Sequence, residues 1–188
     1  LLLNPKFLKM HLAEQNQLIN EEKIKLGGPK GVVYQIPIVF HLVHNNGPEK
    51  IDRSQILDAL SILNRDMRGQ NPDTASVDSL FQGIIADNEI EFVLATKAPD
   101  GSCFSGITRT LSPFSFNTGD INGIDQVNAV IALNDVYNGN WPGDQYLNVF
   151  VCGAVGSGIA GYTYYPSNFF GNSMENGIWL RHDYCGSI

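Results

Sequence analysis

The sequence predicts an α+β fold, a β-rich domain whose sheet is covered by a helix, and two stretches carry that expectation. Residues Tyr34 to His44 alternate as a strand that is apolar on both faces, and residues 53 to 68 carry one apolar stripe at helical spacing. Composition agrees: charged residues are 16% of the chain, below the usual share of about a quarter, and Asn, Gly and Ser are plentiful, as in a loop-rich, weakly charged protein. At 188 residues with 43% hydrophobic content, the chain fits one domain with a core of its own.

The first strand places Tyr34, Ile36, Ile38, Phe40 and Leu42 on one face and Val39, His41 and Val43 on the other. Apolar residues on both faces need cover on both, so the strand belongs inside a sheet packed on at least one helix. Pro37 has no N–H to give a ladder and is expected near the strand start or at a bulge. Asn45-Asn46-Gly47-Pro48 then turns the chain.

The helix is expected from about Arg53 to Arg68. Asp52 suits its N-cap, Gln55 suits the reciprocal partner of a capping box, and Gly69 suits its stop. Ile56, Leu60, Leu63 and Met67 form the stripe that backs the sheet.

Glu89 to Ala95 reads as a second strand, ended by Pro99-Asp100-Gly101, and Gly106 to Arg109 as a short third. Val127 to Val136 reads equally as a strand or as one or two helical turns. Tyr146 to Cys152, Ile159 to Tyr165 and Gly177 to Arg181 are the remaining strands, the first two joined by a Gly-rich turn.

Ahead of all of these, Phe7, Leu8, His11, Leu12 and Gln15 share a helical face, and Gly27-Gly28-Pro29 ends that segment. Residues 1–30 are expected to be a leader or residual pro-segment, and residues 31–188 the domain proper. Leu1-Leu2-Leu3 runs directly into Asn4-Pro5-Lys6 without a small-residue cleavage pattern, so the start reads as an arbitrary boundary with any signal peptide already absent.

Several function classes are excluded or disfavoured. A net charge of -7 leaves no excess of Lys and Arg to displace counterions, which argues against a nucleic-acid partner. No run of like charge suggests a membrane-binding patch, and no apolar run approaches the roughly 18 to 20 residues that span a bilayer. There is no Gly-x-Ser-x-Gly elbow and no phosphate-binding loop. Gly153-Ala-Val-Gly156-Ser-Gly158 looks like a dinucleotide turn only superficially, because the residues after it read as strand. Glu89 and Glu91 read as the solvated face of the second strand.

Cys103, Cys152 and Cys185 show no structural-zinc spacing. They allow a single disulfide with one thiol left over, in keeping with a partner beyond Ile188. They equally allow three buried thiols acting as small hydrophobes.

The four histidines include no pair at helical i, i+4 spacing. His41 and His44 leave a strand on opposite faces, His182 and Asp183 are adjacent near the end, and His11 lies in the leader, so no metal site is expected within this chain.

A set of short segments, taken in order, resembles the pappalysin-like branch of the metzincin zinc metalloproteases, the group related to ulilysin. The matching pieces are Ile36-Pro37-Ile38-Val39-Phe40-His41-Leu42-Val43-His44, Leu63-Asn64-Arg65-Asp66, Asn71-Pro72-Asp73-Thr74 and Ile90 to Ala95 with Pro99-Asp100-Gly101. Gly106-Ile107-Thr108-Arg109, Tyr146 to Cys152, Gly161-Tyr162-Thr163 with Pro166, and Gly177-Ile178-Trp179 follow. The specificity lies in the shared order, from about residue 34 to 186.

The resemblance implies a mixed, mostly parallel five-stranded sheet with one backing helix, the upper subdomain of a zincin-like fold. One strand, at Ile159 to Tyr165, is implied to be an antiparallel edge facing the cleft. Gly161, Tyr162 and Thr163 on it are then the substrate-binding residues, holding an extended peptide by strand addition. Gly161 without a Cβ suits a close backbone approach, although from the residues alone it reads better as a bulge and the tyrosines as ordinary sheet residues.

The departures are as telling. The His-Glu-x-x-His-x-x-Gly-x-x-His zinc motif and its general-base Glu are not in the sequence. The family's Asp-Gly before the last strand stands here as Asn176-Gly177, and its Phe-Gly exit as Cys185-Gly186.

The expectation is therefore the N-terminal half of a secreted zinc-dependent metalloendopeptidase acting on peptide or protein substrates. Its catalytic residues and zinc ligands would lie downstream of Ile188, this chain would be inactive alone, and calcium is left open. The alternative is a complete, non-catalytic extracellular binding or structural module with a related sheet.

Overall fold

Strand β1 (Tyr34–His44) is the axis of the sheet because its alternating apolar faces give it cover on both sides. The computed structural model describes residues 9, 12, 13, 16, 31–116, 123–165, 168 and 171–188. The chain divides into two units, Leu1–Val32 and Val33–Ile188. In the first, Lys9, Leu12, Ala13 and Asn16 are helical and exposed. The remainder of the expected leader, His11 included, lies outside the described residues, as does Pro166.

The second unit carries β1, α1 (Arg53–Met67), β2 (Ile90–Leu94), β3 (Ile107–Leu111), α2 (Ile124–Leu133), β4 (Leu147–Cys152), β5 (Gly161–Thr163) and β6 (Ile178–Arg181) in chain order. The sheet runs β2-β1-β4-β6-β5, with β3 also on β1. β2 pairs Tyr34 to Ile38, β3 pairs Phe40 to His44, and β4 pairs Ile38 to Leu42, so β2 and β3 lie end to end along one edge of β1. Six strands thus fill five positions. All ladders are parallel except β5 on β6.

The backbone groups of Tyr34, Ile38 and Phe40 point to the β2 and β3 side. Pro37 therefore faces the other edge, just before the β4 ladder begins at Ile38, where its missing N–H breaks no bond.

The two faces have separate cores. Ile38, Phe40 and Leu42 pack with Val149, Val151, Cys185 and with Ile56, Ala59 and Leu60 of α1. Val39 and Val43 pack with Phe150, Cys152, Trp141, Trp179 and with Val127 and Val130 of α2. Segment 127–136 is thereby resolved as mostly helix, and each face has its own cover. Each large apolar side chain buried here contributes about 1.5–3 kcal/mol.

The capping box at α1 does not form. Asp52 holds the N-cap position, but its side chain makes no cap hydrogen bond. The Gln55 carboxamide is instead spent on a distant segment, donating to the carbonyls of His182 (3.2 Å) and Cys185 (2.8 Å). Gly69 does stop the helix, at φ 62°, with its N–H on the Asp66 carbonyl.

Asn64 closes the outer edge of β2. Its side chain donates to the Phe92 carbonyl (2.8 Å) and accepts from the Phe92 N–H (2.7 Å), which occupies groups that another strand would otherwise claim. Glu89 precedes β2 at φ 53°, so Glu89 and Glu91 do not share a strand face.

Candidate functional site

The opposite edge of the sheet is β5, and among the described residues only β6 pairs with it. The expected strand over 159–165 is shortened to three residues, Gly161–Thr163, because the ladder offered by β6 is itself short. Its register is Gly161 on Leu180, Tyr162 on Trp179 and Thr163 on Ile178.

The Arg181 N–H donates to the Ala160 carbonyl (2.8 Å). By antiparallel alternation Tyr162 also turns its backbone to β6, while Gly161 and Thr163 turn theirs to the open side. Gly161 and Thr163 are exposed and Tyr162 is half-buried. The edge therefore presents two N–H and two C=O groups at the spacing of an extended chain.

Each strand residue is fixed differently. A Cβ on Gly161 would lie 2.7 Å from the Trp179 carbonyl oxygen, so the glycine is required by its own neighbour in the sheet. The Thr163 hydroxyl donates to the Gly177 carbonyl (2.8 Å). The Tyr162 ring lies flat on Trp179, centroids 5.0 Å apart and planes 2° apart.

From there aromatic contacts continue inward along one register row. Trp179 stacks on Phe150 (4.9 Å), Phe150 on His41 (5.2 Å), and His41 meets Trp141 edge-on (5.4 Å). Beneath the Thr163 end opens a cavity of about 470 Å³, whose lining includes Gln35, Pro37, Tyr146, Thr163, Gly177 and Ile178.

His41 is a buried structural residue with both ring nitrogens engaged, by the Thr108 hydroxyl (2.8 Å) and the Asn148 side-chain oxygen (3.0 Å). Asn148 commits its NH₂ to the Trp141 carbonyl (2.9 Å), so its oxygen faces His41 and accepts from a protonated Nε2. Burial, partly offset by Asn148, pushes its pKa down to about 4.

His44 accepts the Asn46 N–H on Nδ1 (3.3 Å), and burial and then the Lys50 charge lower its pKa. His182 and Asp183 lie in a short 3-10 turn rather than on a strand, and Asp183 pairs with Arg181.

Glu49 is fully buried, and its Oε1 accepts the N–H groups of Asn45 (2.6 Å) and Gly47 (3.1 Å). Burial would raise its pKa, but those backbone donors outweigh it and the net shift is downward.

Among the described residues, no three His, Cys, Asp or Glu side chains converge on a point where a metal ion fits. His41 has no free nitrogen to give. The donor set of a zinc centre is not supplied by these residues.

No protein-family model and no curated protein matches the sequence, whereas solved structures do. Mature mirolysin from Tannerella forsythia, in complex with a cleaved peptide, is 30% identical with a TM-score of 0.68, over 84% of this chain and 56% of that one. The fold is that of the metalloprotease mirolysin.

Mirolysin in complex with compound 9 is 29% identical (TM-score 0.68; 83% of this chain, 55% of that one). A promirolysin mutant from T. forsythia is also 29% identical (TM-score 0.67; 93% and 55%). The chain spans about half the length of the mirolysin chains it matches.

Residue-level reading missed the groups that lock this mirolysin-like sheet together. Asn64 stands beside the helix stripe, Asn148 stands inside an otherwise apolar strand, and Gln55 and Asp58 face the chain after β6. The signal for Asn64 and Asn148 was a carboxamide within an apolar pattern, which needs a partner when buried.

Proposed function

We propose that this chain is the N-terminal, peptide-presenting part of a secreted zinc-dependent metalloendopeptidase of the pappalysin-like branch. The observation that carries the reading is β5: a short antiparallel strand whose outer edge is unpaired among the described residues, in a chain that shares the fold of a metalloprotease whose structure contains a cleaved peptide. An extended substrate adds to β5 as a further strand, with Gly161 and Thr163 supplying the ladder and Tyr162 fixing the strand between them.

When bound, zinc supplies the Lewis acidity and activated water of peptide hydrolysis. No site for it forms among the described residues, and on this reading its ligands and general base belong to a part of the parent protein outside them. Residues 1–30 are read as a residual pro-segment. The promirolysin structure is matched over 93% of this chain, against 83% and 84% for the other two mirolysin structures, which is compatible with that reading. Secretion rests on the family resemblance alone and is checked by locating the native protein in cell fractions.

Two measurements test the reading. Zinc content and peptide hydrolysis of the native full-length protein are expected to be one equivalent and measurable cleavage. A native protein that ends at Ile188, holds no zinc and cleaves no peptide supports the binding-module alternative instead.

A further inference from the structure

A three-residue strand carries too few ladder bonds to hold its own shape, and β5 is approached through a turn containing Gly153, Gly156 and Gly158, whose backbone freedom works against order. Yet an edge that is to receive a peptide must already be extended, because ordering it at the moment of binding subtracts from affinity.

We propose that Tyr162 and Trp179 are positioning residues for peptide capture, their flat stack holding β5 in its binding register before any peptide arrives. The inference rests on the reading of β5 as the peptide edge.

The stack is enclosed on every side that matters. Trp179 is fully buried and lies on Phe150 with a 17° interplanar angle, so it cannot tilt without opening the core. Tyr164 meets both rings edge-on at 5.9 Å. Gly123, at the start of α2 with φ 66°, closes over the top; a Cβ there would collide with Trp179 Nε1 and stand 2.6 Å from Trp179 Cε2 and 2.9 Å from the Tyr162 hydroxyl oxygen. The edge strand is thereby tied to α2 and to the register row running through Phe150 to His41. Gly161 and Thr163, whose backbone groups face outward, flank the one β5 residue whose ring is held in this way.

The experiment uses the isotope-labelled chain titrated with a capped, soluble heptapeptide of alternating threonine and valine, with binding read from the Gly161 and Thr163 amide signals. The original chain is expected to show saturable shifts at both amides. Tyr162→Phe keeps the ring and is expected to bind within about twofold, whereas Tyr162→Val keeps strand propensity without the stack and is expected to weaken binding by about tenfold or more.

Trp179→Phe, which leaves an aromatic ring in the core, serves where the valine variant fails to fold and is expected to give an intermediate loss. Thermal melts of each variant separate lost affinity from lost fold. Folded Tyr162→Val with unchanged affinity overturns the inference while leaving the peptide edge intact. No shift at Gly161 and Thr163 in the original chain overturns the reading of β5 itself.

Discussion

His41 and Gly161 show how single side chains fix this sheet. The buried imidazole stays neutral in the folded state down to about pH 4, whereas in the unfolded chain it takes up a proton near 6.5. The contribution is therefore complete above pH 6.5, is lost as pH falls from 6.5 towards 4, and changes no further below that. The gap corresponds to about 3 kcal/mol for this one residue, and His44, also lowered, acts in the same direction. His41→Gln is expected to flatten the pH dependence of stability across that window, measured by urea denaturation at a series of pH values. A variant with the original slope contradicts the assignment. For Gly161→Ala, the added Cβ must push against the Trp179 carbonyl, and we expect a loss of about 1–3 kcal/mol in the same assay. An alanine tolerated without cost means that β5 shifts freely on β6.

At the scale of elements, α1 does more than cover a face. Beyond β6 the chain has no ladder, yet it is held on the helix by several bonds. Gln55 takes the carbonyls of His182 and Cys185, and one Asp58 oxygen accepts both the Ser187 N–H (2.6 Å) and its hydroxyl (2.9 Å). Gly186, at φ 81°, fits between them where a Cβ would stand 2.7 Å from the Gln55 carbonyl oxygen. Gln55 and Asp58 are three residues apart and so share one side of the helix. Asp58→Ala is expected to speed amide exchange at Ser187 by about tenfold or more while lowering overall stability by only about 1–2 kcal/mol, because the lost bonds lie at the chain surface. Exchange that stays slow assigns the anchoring to Gln55 and the buried Cys185 alone. These bonds also explain what the sequence conceals. β1, α1 and the outer strands were readable because alternation and the four-residue stripe are local patterns. The capping box failed because Gln55 found carbonyls more than a hundred residues away, which no local pattern encodes. Segment 127–136 stayed ambiguous because a run of small and β-branched apolar residues suits either element until α2 is seen against β1. The edge position of β5 was implied only by family order; Gly161 taken alone pointed to a bulge, and its steric reason proves to be internal to the sheet.

For the molecule as a whole, the sheet acts as a partition. Cys152 sits in the core shared with α2 and Cys185 in the core shared with α1, on opposite faces, while Cys103 is exposed beside the bridge to Lys97. Two buried thiols separated by a sheet cannot approach to the Cβ spacing that a disulfide needs, and all three cysteines are free. Burial raises the Cys152 thiol pKa, and burial together with the Asp58 charge pushes Cys185 up to about 11, so neither is a thiolate at neutral pH. The fold is therefore held by its two cores and its polar clamps rather than by a covalent bridge. A thiol reagent at neutral pH is expected to modify Cys103 alone in the folded chain and all three cysteines after denaturation, and a reductant is expected to leave the melting temperature unchanged. A melting temperature that falls on reduction, or a second thiol that reacts as fast as Cys103 without unfolding, would show that the two faces are not sealed from each other as the packing requires.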